Sequence, residues 1–345
     1  MSTALPTKPK PNIRADEKTL AFHRGTLVFD CLSLFYILDE PYAQEALEAG
    51  VNVTNCTFAG EEDWDTCLQS FETGLEKIEK SPLLRLALNS GDVLKAQAEG
   101  KLAIVIGTQG SAMLEQSIYR LELLYRLGLR IFGLAYTGPT MFADGCGEKR
   151  DAGLTFLGRD LIELVNRLPM WLDLAHCGHR TRAEASEIAR APVCTHSNAY
   201  GLNANDRNTR DETARAIVAK GGMLGVCALP KTVWPQNATL DRLVDHVDYY
   251  SKLIGAQNVG FGCDFVAAYK ATGHVLPASR RWRTLRPDIF GTVDEFLTQS
   301  YPEGISQIRE LPNLTQKLYD RGYSETQIAG IMGGSWFRTF KSLVG

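Results

Sequence analysis

The feature that most constrains the fold of this chain is an alternation of short apolar runs with longer amphipathic stretches. The apolar runs are mostly continuous, which is typical of strands buried on both faces of a parallel sheet. There are eight of them: TLVFDCL, VNVTNCTF, LAIVIGTQ, IFGLAY, MWLDLAH, PVCTH, MLGVCAL and VGFGCDF. Parallel strands need long crossover connections, and a helical stretch supplies such a connection.

Helical patterns lie between these runs. Four examples are YRLELLYRLG, FLGRDLIELVNRL, TRAEASEIARA and RDETARAIVAKGG. Eight strands that are each followed by a helical stretch predict an α/β fold, a (β/α)8 TIM barrel. A length of 345 residues suits one such barrel. We therefore expect an N-terminal extension over residues 1–25 and a single barrel domain over residues 26–345, which includes extra C-terminal helices.

Composition narrows the range of functions. Hydrophobic residues make up 44% and charged residues 22%, and the formal charge is -3. The sequence contains no basic run of the kind that binds nucleic acid and no apolar run of about 20 residues that would span a membrane. The N-terminus lacks the apolar core of a secretory signal. The eight cysteines are scattered without a Cys-x-x-Cys pair, which favours neither a disulfide framework nor a zinc ribbon. We expect a cytoplasmic protein.

Polar side chains stand at the ends of several predicted strands, where TIM barrels place their catalytic residues. They come from five strands and are Gln109, Tyr136, His176, His196 and Asp264. Two imidazoles and a carboxylate are suitable ligands for Zn²⁺ or another divalent metal, and such an ion lowers the pKa of a bound water. A single histidine at a strand end is more often structural. The metal hypothesis therefore depends on having two, His176 and His196, on adjacent strands.

Several motifs occur in an order that resembles the membrane (renal) dipeptidase family of amidohydrolase-like barrels. These motifs are DAGLTFLGRDLIELVNRLPMWLDLAH, APVCTHSN, DRNTRDE, VGFGCDF and IMGGSWFRTF. The similarity runs from about residue 27 to the C-terminus. The resemblance implies a metal-dependent (β/α)8 hydrolase, usually a dimer, that cleaves dipeptides with a two-zinc site.

Four residues match functional positions of that family. The resemblance implies that His176 and His196 bind the second zinc ion of the pair. It implies that Arg207 holds the carboxylate of the substrate. It also implies that Asp264 handles the proton of the bridging water.

Other positions depart from the family pattern. The His-x-Asp pair that binds the first zinc is replaced by Leu32 and Leu34, and the bridging glutamate is replaced by Gln109. Leucine cannot ligate a metal, and a neutral amide cannot bridge two cations as a carboxylate does. Tyr136 stands where the family has a histidine that contacts the substrate. We expect at most one divalent metal, zinc, with Asp264 or water beside the two histidines.

These matches favour a divergent hydrolase that cleaves an amide or other C–N bond of a small carboxylate-bearing substrate, as a homodimer. Arg207 would bind the carboxylate, Asp264 would act as the base, and Gln109 and Tyr136 would orient or polarise the scissile group. Tyr136 either donates to an oxyanion or only fills the volume of the absent ligands. Two alternatives stay open: a metal-free barrel that binds a small molecule as an accessory protein, and an isomerase or lyase that uses Asp264 and Tyr136.

A segment after the last predicted strand, HVLPASRRWRTLRPDIFG, concentrates positive charge around one tryptophan. It carries Arg280, Arg281, Arg283 and Arg286. Since it follows a catalytic strand, a loop here could cover the pocket. It either binds an anionic substrate, contacts a neighbouring subunit or is a solvated loop.

Overall fold

The strands pair side by side in parallel. The computed structural model describes residues 10–273, 275–298 and 301–345. Within these residues the strands are β1 (Val28–Leu34), β2 (Val51–Ala59), β3 (Leu84–Leu86), β4 (Leu102–Thr108), β5 (Leu129–Gly133), β6 (Trp171–Asp173), β7 (Pro192–Val193), β8 (Leu224–Val226) and β9 (Val259–Phe261). Every pairing between them is parallel.

Eight of these strands form the barrel. The order β1-β2-β4-β5-β6-β7 continues through a bridge between Cys194 and Leu224 into the β8-β9 pair. The ring closes where the backbone N–H of Asp264, just after β9, donates to the carbonyl of Leu32 in β1 at 3.3 Å. The predicted (β/α)8 barrel is confirmed. Each of the eight predicted runs overlaps one barrel strand, and most strands are shorter than the runs.

One strand was not predicted. β3 pairs only with the start of β4, in the register Leu84 with Leu102, and adds a short branch to the sheet. Three residues are too few to show a periodic pattern, so this strand could not be recognised from the sequence.

The helices cover the outside of the barrel and its two ends. They are α1 (Glu17–Gly25), α2 (Glu40–Glu48), α3 (Trp64–Lys80), α4 (Ser90–Ala98), α5 (Arg120–Arg126), α6 (Phe156–Arg167), α7 (His179–Ile188), α8 (Asp211–Ala219), α9 (Pro230–Val233), α10 (Leu240–Ile254), α11 (Ala267–Thr272), α12 (Pro277–Leu285), α13 (Pro287–Phe290), α14 (Val293–Thr298), α15 (Pro312–Asp320), α16 (Glu325–Ala329) and α17 (Ser335–Val344). The four predicted helical stretches correspond to α5, α6, α7 and α8. In the described part of the chain no helix has the length and apolarity needed to cross a membrane.

Helix starts follow ordinary capping chemistry. Asp63 caps α3 and Thr155 caps α6, each by accepting a backbone N–H in the first turn. Ser324 and Gln327 form a reciprocal capping box at α16. These caps fix where the crossover helices begin, and so fix the loops that precede them.

The C-terminal helices pack against the barrel. Trp336 of α17 is fully buried, lies 5.4 Å from the ring of Trp171 in β6, and donates to the carbonyl of Phe261 in β9. Phe340 meets Phe29 of β1 edge to face. The sequence predicted two helices here, and the structure has three, because a π-helical turn at Gly330–Gly334 separates α16 from α17.

Part of the predicted N-terminal extension also packs on the barrel. Residues 1–9 lie outside the described residues. Asp16 caps α1, and buried His23 of α1 lies 2.7 Å from Thr315 Oγ1 and 2.8 Å from the carbonyl oxygen of Ala49. The segment from residue 10 onward is therefore held against α15.

The arginine-rich segment after β9 is helical, so its prediction as a loop was wrong. Residues 277–290, which we call the lid segment, form α12 and α13, and Pro277 and Pro287 occupy their first turns. Proline is favoured in the first turn of a helix because its missing N–H is not needed there. The first residue of the predicted segment, His274, lies outside the described residues.

Candidate functional site

The two predicted histidines are in direct contact. His176 follows β6 and His196 follows β7, and their Nε2 atoms are 3.1 Å apart. Both rings are buried. Burial, followed by the positive charge of Arg207, holds the pKa of each histidine well below its usual range. Both imidazoles are therefore neutral near pH 7.

A hydrogen-bonded chain orients His196. The Thr195 hydroxyl donates to Asp173 Oδ2 at 2.6 Å, and its oxygen lies 2.7 Å from His196 Nδ1. When Asp173 is ionised, Thr195 accepts the proton of Nδ1, so Nε2 of His196 presents a lone pair towards His176. His176 Nδ1 has no hydrogen-bond partner among the described residues.

Tyr136 and Gln109 lie beside the histidines. The ring of Tyr136 stacks on His176 with centroids 4.3 Å apart, and burial raises the pKa of its phenol above the usual value. Tyr136 is thus a neutral hydrogen-bond donor. Gln109 donates from Nε2 to Thr57 Oγ1 at 2.8 Å, so its orientation is fixed by β2.

Arg207 is positioned by a second arginine that sequence reasoning missed. Arg207 is buried and donates to the carbonyl of Ala175, next to His176. Arg182 in α7 donates to the carbonyls of Ala175 at 2.7 Å, Arg207 at 2.9 Å and Asn208 at 2.6 Å. It thereby ties the end of β6 to the loop that carries Arg207. The sequence shows Arg182 only as one charged residue of an amphipathic helix.

Asp264 is the acidic group of the site. It follows β9, and its backbone has the left-handed φ of 56°, which is uncommon outside glycine but more accessible to Asp and Asn than to most residues. Burial raises the pKa of its carboxyl to about 6, while the charges of Arg207 and Arg283 oppose that rise. The carboxyl therefore changes protonation state near neutral pH.

A second carboxyl lies near Asp264. Asp30 in β1 is buried, and Oδ1 accepts the backbone N–H groups of Cys263 at 2.8 Å and Leu32 at 3.3 Å. Burial raises its pKa to about 7, and the charge of Asp264 adds to the rise. Asp30 was not among the predicted site residues.

The predicted site residues meet at one narrow cavity of about 80 Å³ at the C-terminal ends of the strands, which we call the mouth cavity. Five of the six predicted site residues line it: Gln109, Tyr136, His176, Arg207 and Asp264. His196 is fully buried and contacts the cavity wall through His176. The side chains contributed by the lid segment include Trp282, Arg283 and Phe290.

The donor set fits one metal ion in part and does not fit two. Two nitrogens about 2.0–2.1 Å from one tetrahedral zinc are roughly 3.3 Å apart, close to the separation of the His176 and His196 Nε2 atoms. The described residues contain no group of three His, Cys, Asp or Glu side chains arranged to hold a metal. Leu32 is fully buried and Leu34 lines the mouth cavity, where first-metal ligands would be needed.

The family model for membrane dipeptidase, peptidase family M19, matches residues 30–276. The chain belongs to the membrane dipeptidase family. An uncharacterised dipeptidase of Schizosaccharomyces pombe is 28% identical over 298 residues, which cover 81% of this chain and 64% of that protein. Dipeptidase tcpJ of Claviceps purpurea is 26% identical over 271 residues, 76% of this chain and 56% of that protein. The chain spans less than two thirds of the length of these relatives.

Solved structures agree with the fold. An amidohydrolase from Pseudomonas aeruginosa has a TM-score of 0.81 at 26% identity, with 94% of this chain and 98% of that one covered. The probable dipeptidase PvdM of the same species has a TM-score of 0.79 at 19% identity, with 95% and 98% covered. These neighbours support an amidohydrolase-like barrel fold.

Proposed function

We propose that this chain is a dipeptidase-like hydrolase that cleaves an amide or other C–N bond of a small carboxylate-bearing substrate. One observation carries the proposal. A titratable carboxyl, Asp264, lines the same small cavity as the buried guanidinium of Arg207, and that cavity lies at the catalytic end of the barrel. A base and an anion-binding group are the minimum needed to position and attack such a substrate.

Arg207 binds the carboxylate of the substrate in this proposal. It forms no ion pair with any acidic side chain in the described ranges, so its charge is available to a ligand. Its loop is held by Arg182 through two backbone carbonyls, which keeps the guanidinium in place. A preorganised group of this kind loses little conformational entropy when the substrate binds.

Asp264 acts as the general base. Above pH 6 its carboxylate removes a proton from water as the water oxygen bonds to the carbonyl carbon. The C–N bond then breaks, and the same proton passes from Asp264 to the leaving nitrogen, so the products are a carboxylic acid and an amine. Tyr136 donates a hydrogen bond to the developing oxyanion, and Gln109 orients the scissile group.

The proposal includes at most one divalent metal, zinc, in place of the family's two. His176 and His196 would hold it, with Asp264 or water completing its shell. The His196 Nδ1 contact with Thr195 supports this, since a ligating histidine usually donates its other N–H to a second group. A bound ion of this kind polarises a carbonyl and lowers the pKa of water.

Substrate assays with matched variants test the hydrolytic step. Dipeptides, N-acyl amino acids and related amides are incubated with the protein, and released amines are measured by mass spectrometry. Asp264→Asn is expected to lower kcat by roughly 10²- to 10⁴-fold, and Arg207→Met to raise KM. Arg210→Met, at an exposed position three residues away, is the control. Full activity in Asp264→Asn would contradict the assignment.

Metal content is tested separately by elemental analysis of protein purified without chelator. About one ion per chain, lost in the His176→Ala, His196→Ala double variant, is expected. Two ions would contradict the interpretation of Leu32, Leu34 and Gln109. None after metal is supplied would overturn the metal part of the proposal.

The histidine contact favours a second candidate, a metal-free barrel that binds a small carboxylate ligand or performs an isomerase or lyase step. His176 and His196 hydrogen-bond each other at 3.1 Å, so neither needs an ion to satisfy its Nε2 atom. Calorimetric titration with N-acyl amino acids discriminates the two. Under this candidate the double-histidine variant keeps its affinity, and neither protein releases amines in the substrate assay. Under the first, the wild-type protein releases amines and the variant does not.

We further propose a cytoplasmic homodimer whose partner molecule is its small substrate, with neither nucleic acid nor membrane as a partner. The eight cysteines are all buried and free, which supports a reducing compartment. Analytical ultracentrifugation tests the dimer, and a single species of monomer mass would contradict it.

A further inference from the structure

The lid segment places one of its four arginines in the mouth cavity. Ser279, Trp282 and Arg283 of α12 lie three and four residues apart, so they share one face of the helix, and all three line the cavity. Arg280 and Arg281 are exposed on the other side. Helix geometry therefore separates residues that looked equivalent in the sequence.

Arg283 is buried without an acidic partner. Its side chain donates from Nε to Ser279 Oγ at 3.2 Å and from Nη1 to the carbonyl of Phe290, and its guanidinium lies 4.2 Å from the ring centroid of Phe296. The residue is 7% exposed. Within the described ranges, no carboxylate forms an ion pair with it.

Two other arginines have hydrogen-bond or ion-pair partners that Arg283 lacks. Arg182 is also buried, but Nε, Nη1 and Nη2 all donate to carbonyls, so it is satisfied as a structural residue. Arg286 of the lid pairs with Asp206 and Asp288, both at 2.8 Å. Arg283 has neither a full set of carbonyl acceptors nor a carboxylate.

A buried guanidinium without a counter-ion is costly, because it loses hydration that no opposite charge replaces. The lining of the mouth cavity includes two such groups, Arg207 and Arg283, and one carboxyl, Asp264. Glu295 acts on Arg283 from outside this lining without forming an ion pair. Even with Asp264 ionised, the positive charge exceeds the negative charge by one. One substrate carboxylate at Arg207 balances this net charge, but Arg283 would still have no carboxylate in direct contact.

We propose that Arg283 binds a second carboxylate, so that the preferred substrates are dipeptide-like amides ending in aspartate or glutamate. This inference rests on the proposed function and names its substrate class. Arg207 binds the α-carboxylate and Arg283 the side-chain carboxylate. The apolar wall formed by Leu229, Val266 and Phe290 offers an uncharged side chain no equivalent contact.

Matched acid and amide substrates test the inference. Alanyl-glutamate is compared with alanyl-glutamine, and alanyl-aspartate with alanyl-asparagine, because each pair differs by one charge at nearly constant volume. The wild-type protein is expected to show kcat/KM higher for the acid by roughly 10- to 100-fold, the range of a hydrogen bond to a charged group. Equal values for acid and amide would overturn the inference.

Variants assign the preference to one residue. On the pH plateau of both proteins, Arg283→Met is expected to abolish the acid preference through KM and to lower activity on the acids more than on the amides. Arg283→Lys should retain part of the preference, and Arg280→Met, on the exposed face of α12, should retain all of it. Thermal unfolding checks that each variant is folded. An equal loss on acids and amides in folded Arg283→Met would also overturn the inference.

A binding measurement separates this inference from the proposed function. If no amide is cleaved, the hydrolase proposal fails, and the selectivity of Arg283 is tested by calorimetry with N-acetyl-glutamate and N-acetyl-glutamine. Tighter binding of N-acetyl-glutamate, lost in Arg283→Met, would support the second carboxylate site alone. Equal binding of both probes would overturn it.

Discussion

Asp264 is the proposed base, and its carboxyl group gains or loses its charge near neutral pH. Burial raises its pKa to about 6, so the carboxylate needed to accept a proton is lost as the pH falls through that value. We predict that kcat/KM rises with pH to a plateau above about pH 6. In Arg283→Met, one opposing positive charge is removed, so the acid limb should move to higher pH. The measurement is a pH profile on an uncharged-side-chain substrate, and an unmoved limb in that variant would contradict the prediction.

Substitution of Thr195 tests the hydrogen-bonded chain that orients His196. Thr195→Val keeps the side-chain shape but removes the hydroxyl between Asp173 Oδ2 and His196 Nδ1. Buried polar atoms left without a partner cost about 1–3 kcal/mol, so the free energy of unfolding should fall by about that amount in urea. Thr195→Ser retains the hydroxyl and is the control. No loss in Thr195→Val would show that water or another group replaces the hydroxyl.

The site residues differ in how far the sequence could predict them. His176, His196 and Asp264 follow apolar strands, and the carboxyl ends of barrel strands converge, so their meeting at one cavity was predictable. Arg182 was missed and Arg283 was not distinguished from the three arginines near it, because each acts through contacts set by helix packing. A charged residue in a helix has the same local pattern whether it faces solvent or a cavity.

At the scale of elements, Arg286 connects the lid segment to two neighbouring loops. Its guanidinium donates to the Gly147 carbonyl at 3.0 Å and pairs with Asp206, next to Arg207 in the chain. His179, whose Nε2 lies 3.3 Å from Asp206 Oδ1, and the hydrogen bond from Arg286 lower the pKa of Asp206 to about 2, so the carboxylate stays ionised at working pH. This contact links the lid to the loop that carries the proposed carboxylate-binding residue.

We predict that Arg286→Met loosens the lid without unfolding the barrel. The ion pair with Asp206 is partly exposed, so its loss should change the free energy of unfolding by no more than about 1 kcal/mol. Hydrogen exchange over residues 277–290 should nevertheless accelerate, and KM should rise because Arg283 and Trp282 line the cavity from this segment. Arg280→Met is the matched control. Unchanged exchange in Arg286→Met would place the restraint on Trp282 and its bond to Glu61.

The elements themselves were predictable to different degrees. Long apolar runs specified all eight barrel strands, since each run must be buried on both faces. The short β3 and the helices of the lid segment were not predicted, because neither has a long periodic pattern. Pro277 and Pro287 were the available signal for α12 and α13, and the arginines around them made the segment look like a solvated loop.

At the scale of the whole molecule, Asp30 joins the first strand of the barrel to the chain after the last one. It lies in β1, and its Oδ1 accepts the backbone N–H of Cys263, just beyond β9. Burial raises its pKa from the ordinary value of 3.8 to about 7 in the folded protein. Folding therefore favours the protonated form, and barrel closure is coupled to the protonation of one buried group.

This coupling has a definite sign. Below about pH 4, Asp30 is protonated in both states and contributes no penalty. As the pH rises to about 7, the unfolded state ionises first, so stability falls, by up to about 4 kcal/mol for a shift of roughly three pKa units.

Asp30→Asn cannot ionise, and we predict that its free energy of unfolding loses this slope between pH 4 and 7. Urea titrations of both proteins across that range measure the difference, with Asp294→Asn at an exposed position as control. Parallel pH profiles for wild type and Asp30→Asn would mean that Asp30 is ionised in the folded barrel, its charge satisfied by the two backbone N–H groups.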